Sequence, residues 1–199
     1  MKLKQALDSR ARLHGRGICK AVGPDLSGAT VTAEVVHRST TVAEFRGVVQ
    51  ELDVIHFEHD NALLGQGLER VLRLISNNLA TSLTKISHVG VGGAAGAVTV
   101  STTTLGTPNS IKSVSPAETI DVSNAANPVV TFLADFDETD VPWAATRLAL
   151  LTGSAATAVV DIVGGGGSAP YDKAFGFDFS SAGQVDLTLG VALGLSAAS

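Results

Sequence analysis

Cysteine, aromatic residues and charge are all scarce in this sequence. Its 199 residues include one cysteine, one tryptophan and one tyrosine, and charged residues make up 17%. The lone Cys19 cannot form an internal disulfide, and the Cys and His residues lack the spacing of a structural zinc site. A chain of this length buries roughly two thirds of its unfolded surface, so we expect it to fold without such cross-links.

Long apolar runs are missing as well. The longest candidate, residues 141–163, carries Arg147 and Asp161, and no uncharged run approaches the roughly 20 residues of a membrane helix. Residues 1–16 are basic but lack the apolar core of a secretory signal. We therefore expect no membrane insertion.

The motifs of common enzyme classes are absent too. There is no Gly-x-Ser-x-Gly, no His-Glu-x-x-His and no phosphate-loop lysine. Gly90-Val91-Gly92-Gly93 follows a predicted strand, as a dinucleotide-binding loop would, but extended chain follows it instead of the helix of a βαβ unit. The sequence predicts a protein that is not an enzyme and has no cofactor.

Positive charge is concentrated at the start of the chain. The first 20 residues hold six basic residues and one acidic residue, whereas four basic and ten acidic residues follow position 76. Such asymmetry suggests a basic arm that docks on an acidic partner, and the alternative is a solvated basic segment. The candidate interface residues of this arm are Lys2, Lys4, Arg10, Arg12 and Arg16.

The first 58 residues are predicted to form a basic arm and a β-rich attachment region. Apolar residues in the segment 2–14 recur at helical spacing, so the chain could begin as a helix that Gly15 and Gly17 end. Two β-branched runs, residues 29–36 and 45–57, then predict strands.

An amphipathic helix is predicted next, over residues 64–79. Asp60 and Asn61 offer side-chain oxygens for its N-cap. Its apolar stripe consists of Leu64, Leu68, Val71, Leu72, Ile75 and Leu79. Gly65 and Gly67 each cost about 0.5–1 kcal/mol relative to alanine, which suggests that another backbone approaches closely there, and both are candidate interface residues.

Short strand candidates fill the rest of the chain, separated by Pro, Gly, Asn, Asp and Ser clusters. They are residues 86–91, 111–114, 118–122, 129–136, 145–151, 158–163, 175–179 and 185–193. Many short strands with turn signals between them predict an antiparallel sandwich or barrel. We therefore expect a mainly β protein in which residues 59–199 form an antiparallel β-sandwich with one amphipathic helix packed on it.

A series of sequence motifs along residues 55–195 resembles the order of motifs in a known group of proteins. The motifs are His59-Asp60-Asn61-Ala62-Leu63, Gly67-Leu68-Glu69-Arg70-Val71-Leu72, Leu83-Thr84-Lys85-Ile86-Ser87-His88-Val89-Gly90-Val91-Gly92, Thr103-Thr104-Leu105, Val129-Val130-Thr131-Phe132-Leu133-Ala134-Asp135-Phe136, Arg147-Leu148-Ala149-Leu150-Leu151, and residues 172–193. This pattern resembles small virion structural proteins of tailed bacteriophages, of the tail-fibre, tail-collar or neck-associated type. Arg147 and Ala149 stand where those proteins usually have an acidic residue and a glycine.

The resemblance implies a structural component of a tailed phage virion, assembled in the host cytoplasm. Its place would be the tail, neck or baseplate, and a head-surface decoration or fibre protein is the alternative. It implies other virion proteins as partners and a homo-oligomer, without direct contact to DNA. Trp143 is a candidate interface residue, with a core position at the sandwich edge as the alternative.

A second class of function stays open, a module that binds carbohydrate or a host surface molecule. Its site would be the acidic loop of residues 135–140, where Asp135, Asp137 and Asp140 are weak calcium candidates. The loop lacks the glycine and the distal glutamate of a calcium-binding loop. A solvated acidic hairpin is the simpler interpretation, so no metal is expected.

Overall fold

The computed structural model of the protein describes residues 12–61, 64–75, 84–94, 96–124, 127–164 and 174–196. These residues form β1 (Arg12–Gly23), β2 (Thr30–Val31), β3 (Glu34–Phe45), β4 (Val48–Asn61), α1 (Gly65–Ile75), β5 (His88–Gly92), β6 (Asn109–Ser113), β7 (Thr119–Asp121), β8 (Val129–Asp137), β9 (Arg147–Leu151), β10 (Val159–Gly164), β11 (Phe177–Asp178) and β12 (Asp186–Ser196). The predicted mainly β fold with one short helix is confirmed.

All the strand pairings in the described ranges are antiparallel. A six-stranded sheet has the order β3-β4-β1-β12-β8-β7, and a four-stranded sheet has the order β10-β9-β5-β6. A small two-stranded sheet joins β11 to β2. The two larger sheets pack on each other as a sandwich, as the turn-bounded strands predicted.

The main core lies between these two sheets. Phe57 on β4, Phe132 on β8 and Leu189 on β12 face it from the six-stranded sheet. Val91 on β5 and Leu150 on β9 face it from the other. Alternate residues of each strand enter the core because successive strand side chains point to opposite faces.

The four-stranded sheet is also covered on its outer face. Ala149 and Leu151 of β9 belong to a second cluster there, under Leu64, Val98 and Leu105. Every residue of β9 is therefore buried, which explains why this strand is an unbroken apolar run after its first residue. The stretch of residues 59–106 thus includes the cover for one side of the sandwich.

The segment that was predicted to begin as a helix contains the start of β1. Residues 2–11 lie outside the described part, but Arg12, Leu13 and His14 pair with β12 as strand. Along β1 the buried positions are Gly15, Gly17, Cys19, Ala21 and Gly23. The helical interpretation of residues 12–14 was therefore wrong. The buried positions of β1 alternate with a period of two, as in any strand, but side chains this small give little hydrophobic signal in the sequence.

The predicted N-cap of the helix was also wrong. Asp60 and Asn61 belong to β4, because that strand continues its pairing with β1 as far as the Asn61–Gly15 pair. The helix α1 begins later, at Gly65, and lies against β10. The predicted stop at residues 77–78 lies outside the described part.

Among the described side chains of the predicted apolar stripe, burial is uneven. Leu64, just before the helix, is fully covered, whereas Leu68 and Leu72 are exposed.

The predicted boundary after residue 58 falls inside β4, and β4 is joined through β1 to β12. The described residues on both sides of that boundary thus share one sheet. The predicted strand over residues 45–57 is in fact interrupted by a turn between β3 and β4. The eight strand candidates after residue 85 are all present, with shifted ends.

Candidate assembly surface

The hairpin of β3 and β4 extends beyond the sheet to which it belongs. The pairing of β4 with β1 stops at Asp53, opposite Gly23. The pairing of β4 with β3 continues for five more residue pairs, from Thr41–Leu52 to Phe45–Val48. Residues 41–52 therefore form a two-stranded ribbon that runs about 16 Å past the end of β1. We call these residues the ribbon.

A tight turn closes the ribbon. Arg46 and Gly47 both have positive φ, 50° and 77°, and this geometry suits the right-handed twist of the two strands. The guanidinium carbon of Arg46 lies 5.5 Å from the ring centroid of Phe45. This distance fits a cation–π contact at an exposed site, and it places a positive charge at the tip.

Four apolar side chains of the ribbon are exposed. Val42 and Phe45 are each 62% exposed, Val48 is 58% exposed and Val49 is 64% exposed. The register places Phe45 and Val48 on one face, and Val42 and Val49 on the other. Both faces of the ribbon thus offer apolar surface to solvent, which marks a candidate contact site.

One face of the ribbon overhangs the end of the sandwich and forms a groove of about 370 Å³. Its apolar lining includes Val22, Phe45, Leu52 and Val185. The volume lies within the roughly 300–1,000 Å³ typical of ligand pockets. The wall opposite the ribbon is made by the end of β1 and by the segments at residues 137–138 and 184–186.

Carboxylates dominate the charge of this groove. Glu44, Asp137, Glu138 and Asp186 line it, and its lining contains no basic residue. Two cations lie near: Arg46 at the tip, and Lys112, whose Nζ lies 2.7 Å from Oδ1 of Asp140. The hydrogen bond to Asp140 raises the pKa of Lys112, so that cation is already paired with a carboxylate.

The predicted basic residues are divided by the fold. Lys2, Lys4 and Arg10 lie outside the described part, and Arg12 is the first residue of β1. Arg16 lies further along β1 and donates from Nη1 to Oε2 of Glu58 across a distance of 2.8 Å. This ion pair partly neutralises the charge of Arg16 within the sheet, although half of the Arg16 side chain is exposed.

The predicted close approach at the helix glycines is confirmed for Gly65. Its amide donates to the carbonyl oxygen of Val100 at 2.9 Å, and a Cβ added to it would lie 3.2 Å from that oxygen. Gly67 is buried. Trp143 is partly buried and packs against the main core, with its ring 2.9 Å from where a Cβ on Gly93 would lie.

The three weak calcium candidates hold their own loop together. Oδ1 of Asp137 accepts hydrogen bonds from the amides of Thr139 and Asp140 at 2.9 and 3.0 Å. Asp140 accepts from the Asp137 amide and pairs with Lys112, and Asp135 accepts from the Thr188 hydroxyl. In the described ranges no group of three or more His, Cys, Asp and Glu is placed to hold a metal ion.

The glycines near residue 92 are explained by packing. A Cβ on Gly92 would lie 2.7 Å from the carbonyl oxygen of Leu105, and one on Gly90 would lie 2.7 Å from the Leu105 side chain. They therefore admit the segment that covers the outer face of the sheet. β5 pairs with antiparallel neighbours on both sides, which is not the arrangement of a dinucleotide loop.

A buried cation fixes the same covering segment. Arg147 is 6% exposed, and its guanidinium donates to the carbonyl oxygens of Thr104, Leu105 and Gly96 at 3.3–3.4 Å. Burial lowers the pKa of Arg147. Arg147 thus tethers this segment to β9. In the main core, burial raises the pKa of the Cys19 thiol.

The apolar residues of the ribbon were not among the predicted site residues. The available signal was the Arg46-Gly47 pair between two β-branched runs, since a glycine in a two-residue spacer indicates a hairpin. Val42 and Val49 are exposed because β1 ends before it reaches them. The alternation of apolar residues in the sequence does not predict where β1 ends.

Within the described ranges no helix is long and apolar enough to cross a membrane. No protein-family model, curated protein or solved structure matches the chain.

Proposed function

We propose that this chain is a non-enzymatic structural subunit of a tailed-phage virion, which attaches to its neighbours through the ribbon. The observation that carries the proposal is the ribbon itself, with four apolar side chains exposed on two opposite faces. The ribbon belongs to the N-terminal region that the sequence marked for attachment.

Stability gives the physical reason for a neighbour at the ribbon. A two-stranded hairpin that is not covered by other elements is marginal in water, and exposed apolar strands invite pairing with another chain. Full burial of a valine or phenylalanine side chain contributes about 1.5–3 kcal/mol. A neighbour that covers Val42, Phe45, Val48 or Val49 would therefore gain binding energy and order the ribbon at once.

The placement in a virion rests on the resemblance of residues 55–195 to small phage structural proteins. Tail, neck or baseplate is the proposed position, with a head-surface decoration or fibre protein as the alternative in the same class. The subunit would then be part of the particle, assembled in the host cytoplasm beside other virion proteins and copies of itself.

The binding-module alternative depends on calcium at the acidic loop. It needs the oxygens of Asp137 and Asp140 for the ion, but Oδ1 of Asp137 and Oδ2 of Asp140 already accept hydrogen bonds from the loop's own amides, and Oδ1 of Asp140 pairs with Lys112. The loop therefore gives calcium-dependent binding no support.

The proposal is tested on washed particles of a phage that encodes this chain. Quantitative mass spectrometry should find the chain at several copies per particle. Phe45→Asp and Val49→Asp should each reduce incorporation at least tenfold, because a carboxylate at the tip cannot be buried without a large cost.

The matched control is Thr119→Asp, which adds the same charge at an exposed strand position outside the ribbon. All three purified variants should keep the wild-type melting temperature, since the replaced side chains are exposed. Absence of the chain from washed wild-type particles would overturn the proposal, and so would normal incorporation of both tip variants.

A further inference from the structure

We propose that the groove beneath the ribbon receives the basic segment at residues 2–10 of a second copy of this chain. The inference rests on the proposed function in one respect, in that it takes the neighbour to be another copy. It adds which parts of the two copies meet.

The groove suits an extended segment with mixed chemistry. Phe45, Leu52 and Val185 provide apolar lining, and Asp186 is an exposed carboxylate beside them. Glu44, which pairs with Val49 and so leaves the ribbon on the opposite face from Phe45, is an exposed carboxylate at the edge of the groove. Such an arrangement buries aliphatic side chains along the wall and leaves the acidic groups to meet cations.

The segment at residues 2–10 has the complementary composition. Lys2, Lys4 and Arg10 are basic, with Asp8 as the one acidic residue, and Leu3 and Leu7 are apolar. Long basic side chains can also lay their aliphatic stems on an apolar surface while their charges stay near carboxylates.

Reach favours the groove of a neighbour over the segment's own groove. The segment joins β1 at Arg12, whereas the groove lies at the other end of that strand, beside Gly23. The 12 residues of β1 span about 36–40 Å. The eleven residues before Arg12 reach at most about 36–40 Å when fully extended, no more than the length of β1, so residues 2–10 cannot lie along the groove of the same molecule.

Charge reversal tests the pairing. Lys4→Glu with Arg10→Glu alters the segment, and Glu44→Lys with Asp186→Lys alters the groove without touching Asp137 or Glu138, which bond to backbone amides. Sedimentation at low salt should show wild-type self-association, weakened about tenfold in either double variant, since exposed ion pairs are individually weak. Added salt should weaken the wild type in the same direction.

The decisive sample carries all four substitutions in one chain. It should regain most of the wild-type association, because both charges of the contact are exchanged. A control with Lys20→Glu and Lys85→Glu has the same net charge as the segment variant and should associate like wild type, since these two lysines are exposed elsewhere.

A zero-length cross-linker then identifies the chains that meet. In a mixture of unlabelled and nitrogen-15-labelled protein, links from Lys4 to Glu44 or Asp186 should join peptides of different label. A monomeric wild type, a fourfold variant as weak as the double variants, or links confined to single chains would each overturn the inference.

The two proposals can fail separately. A chain that is present in particles but unaffected by charge reversal leaves the proposed function standing and removes the segment from the groove. Restored association in the fourfold variant, with no chain in washed particles, keeps the segment in the groove and overturns the proposed function.

Discussion

Asp137 has the side chain of a calcium ligand, but its neighbours use it as a hydrogen-bond acceptor that holds a turn. Its Oδ1 accepts three hydrogen bonds, from the Thr139 hydroxyl at 2.6 Å and from the amides of Thr139 and Asp140. The bond from the hydroxyl is the main cause that lowers the pKa of Asp137, with help from the two amides and the charge of Lys112. The carboxylate therefore stabilises the turn after β8.

This arrangement predicts a pH dependence. Because the pKa of Asp137 is lower in the folded chain than its ordinary value of 3.8, its contribution to stability is complete well above that pH and is lost as the pH falls through the folded value. Asp137→Asn does not titrate and should be less stable than wild type at pH 7. The difference in free energy of unfolding should shrink below about pH 4.

Urea unfolding at a series of pH values measures this difference. Calcium should leave both proteins unchanged in the same assay. A difference that stays constant down to pH 2 would show that the carboxylate charge has no part in the turn.

At the level of elements, residues 98–105 cover the outer face of the four-stranded sheet. This segment packs closely on strand β5 because β5 has glycine at the contact positions. Gly92 allows the Leu105 carbonyl to lie where a Cβ would otherwise be, at 2.7 Å. The second hydrophobic cluster, which includes Leu64, Val98 and Leu105, depends on that approach.

Gly92→Ala should therefore destabilise the chain by about 1–3 kcal/mol, the usual cost of overpacking. The obstacle is backbone, which cannot turn aside as a side-chain tip can. Gly153→Ala is the matched control, because a Cβ there meets nothing within 4 Å. Chemical denaturation of both variants checks the prediction, and equal stabilities would contradict it.

The elements that the sequence predicted well are those with strong local signals. The strands after residue 85 alternate or run apolar between Gly, Pro, Asn and Asp clusters, so their existence was predictable and their ends shifted by a few residues. β1 was missed because its buried side is built from Gly15, Gly17, Cys19 and Ala21. Small side chains fill the space beneath the opposite sheet, but they do not mark a strand in the sequence.

The candidate site was harder to predict for a related reason. The apolar residues of the ribbon resemble ordinary strand residues, since Val and Phe are common in strands. They become a surface only because β1 ends at Gly23 while β3 and β4 continue. Where β1 ends relative to β3 and β4 depends on the register between segments that are far apart in the sequence. Local sequence patterns do not give that register.

At the scale of the whole molecule, β12 joins the two halves of the six-stranded sheet. This strand pairs with β1 on one side and with β8 on the other, along almost its full length. The strands that precede residue 59 are thus joined to the rest through hydrogen-bonded neighbours in one sheet.

A single cooperative unfolding transition is the expected result of this continuity. Far-UV circular dichroism reports all the strands, while fluorescence reports the environment of Trp143, the one tryptophan. The two signals should change at the same denaturant concentration. An earlier phase seen by circular dichroism alone would instead show that the region before residue 59 unfolds separately.

The position of β12 also has a consequence in time. Strands β1 and β8 leave the ribosome with no partner on one side, and the strand that joins them is the last one described. Such long-range pairing folds slowly and only after synthesis has reached it. Residues 184–186, which form one wall of the groove, are also made late. A prematurely terminated chain therefore lacks both the complete six-stranded sheet and the groove, so it cannot assemble through the groove.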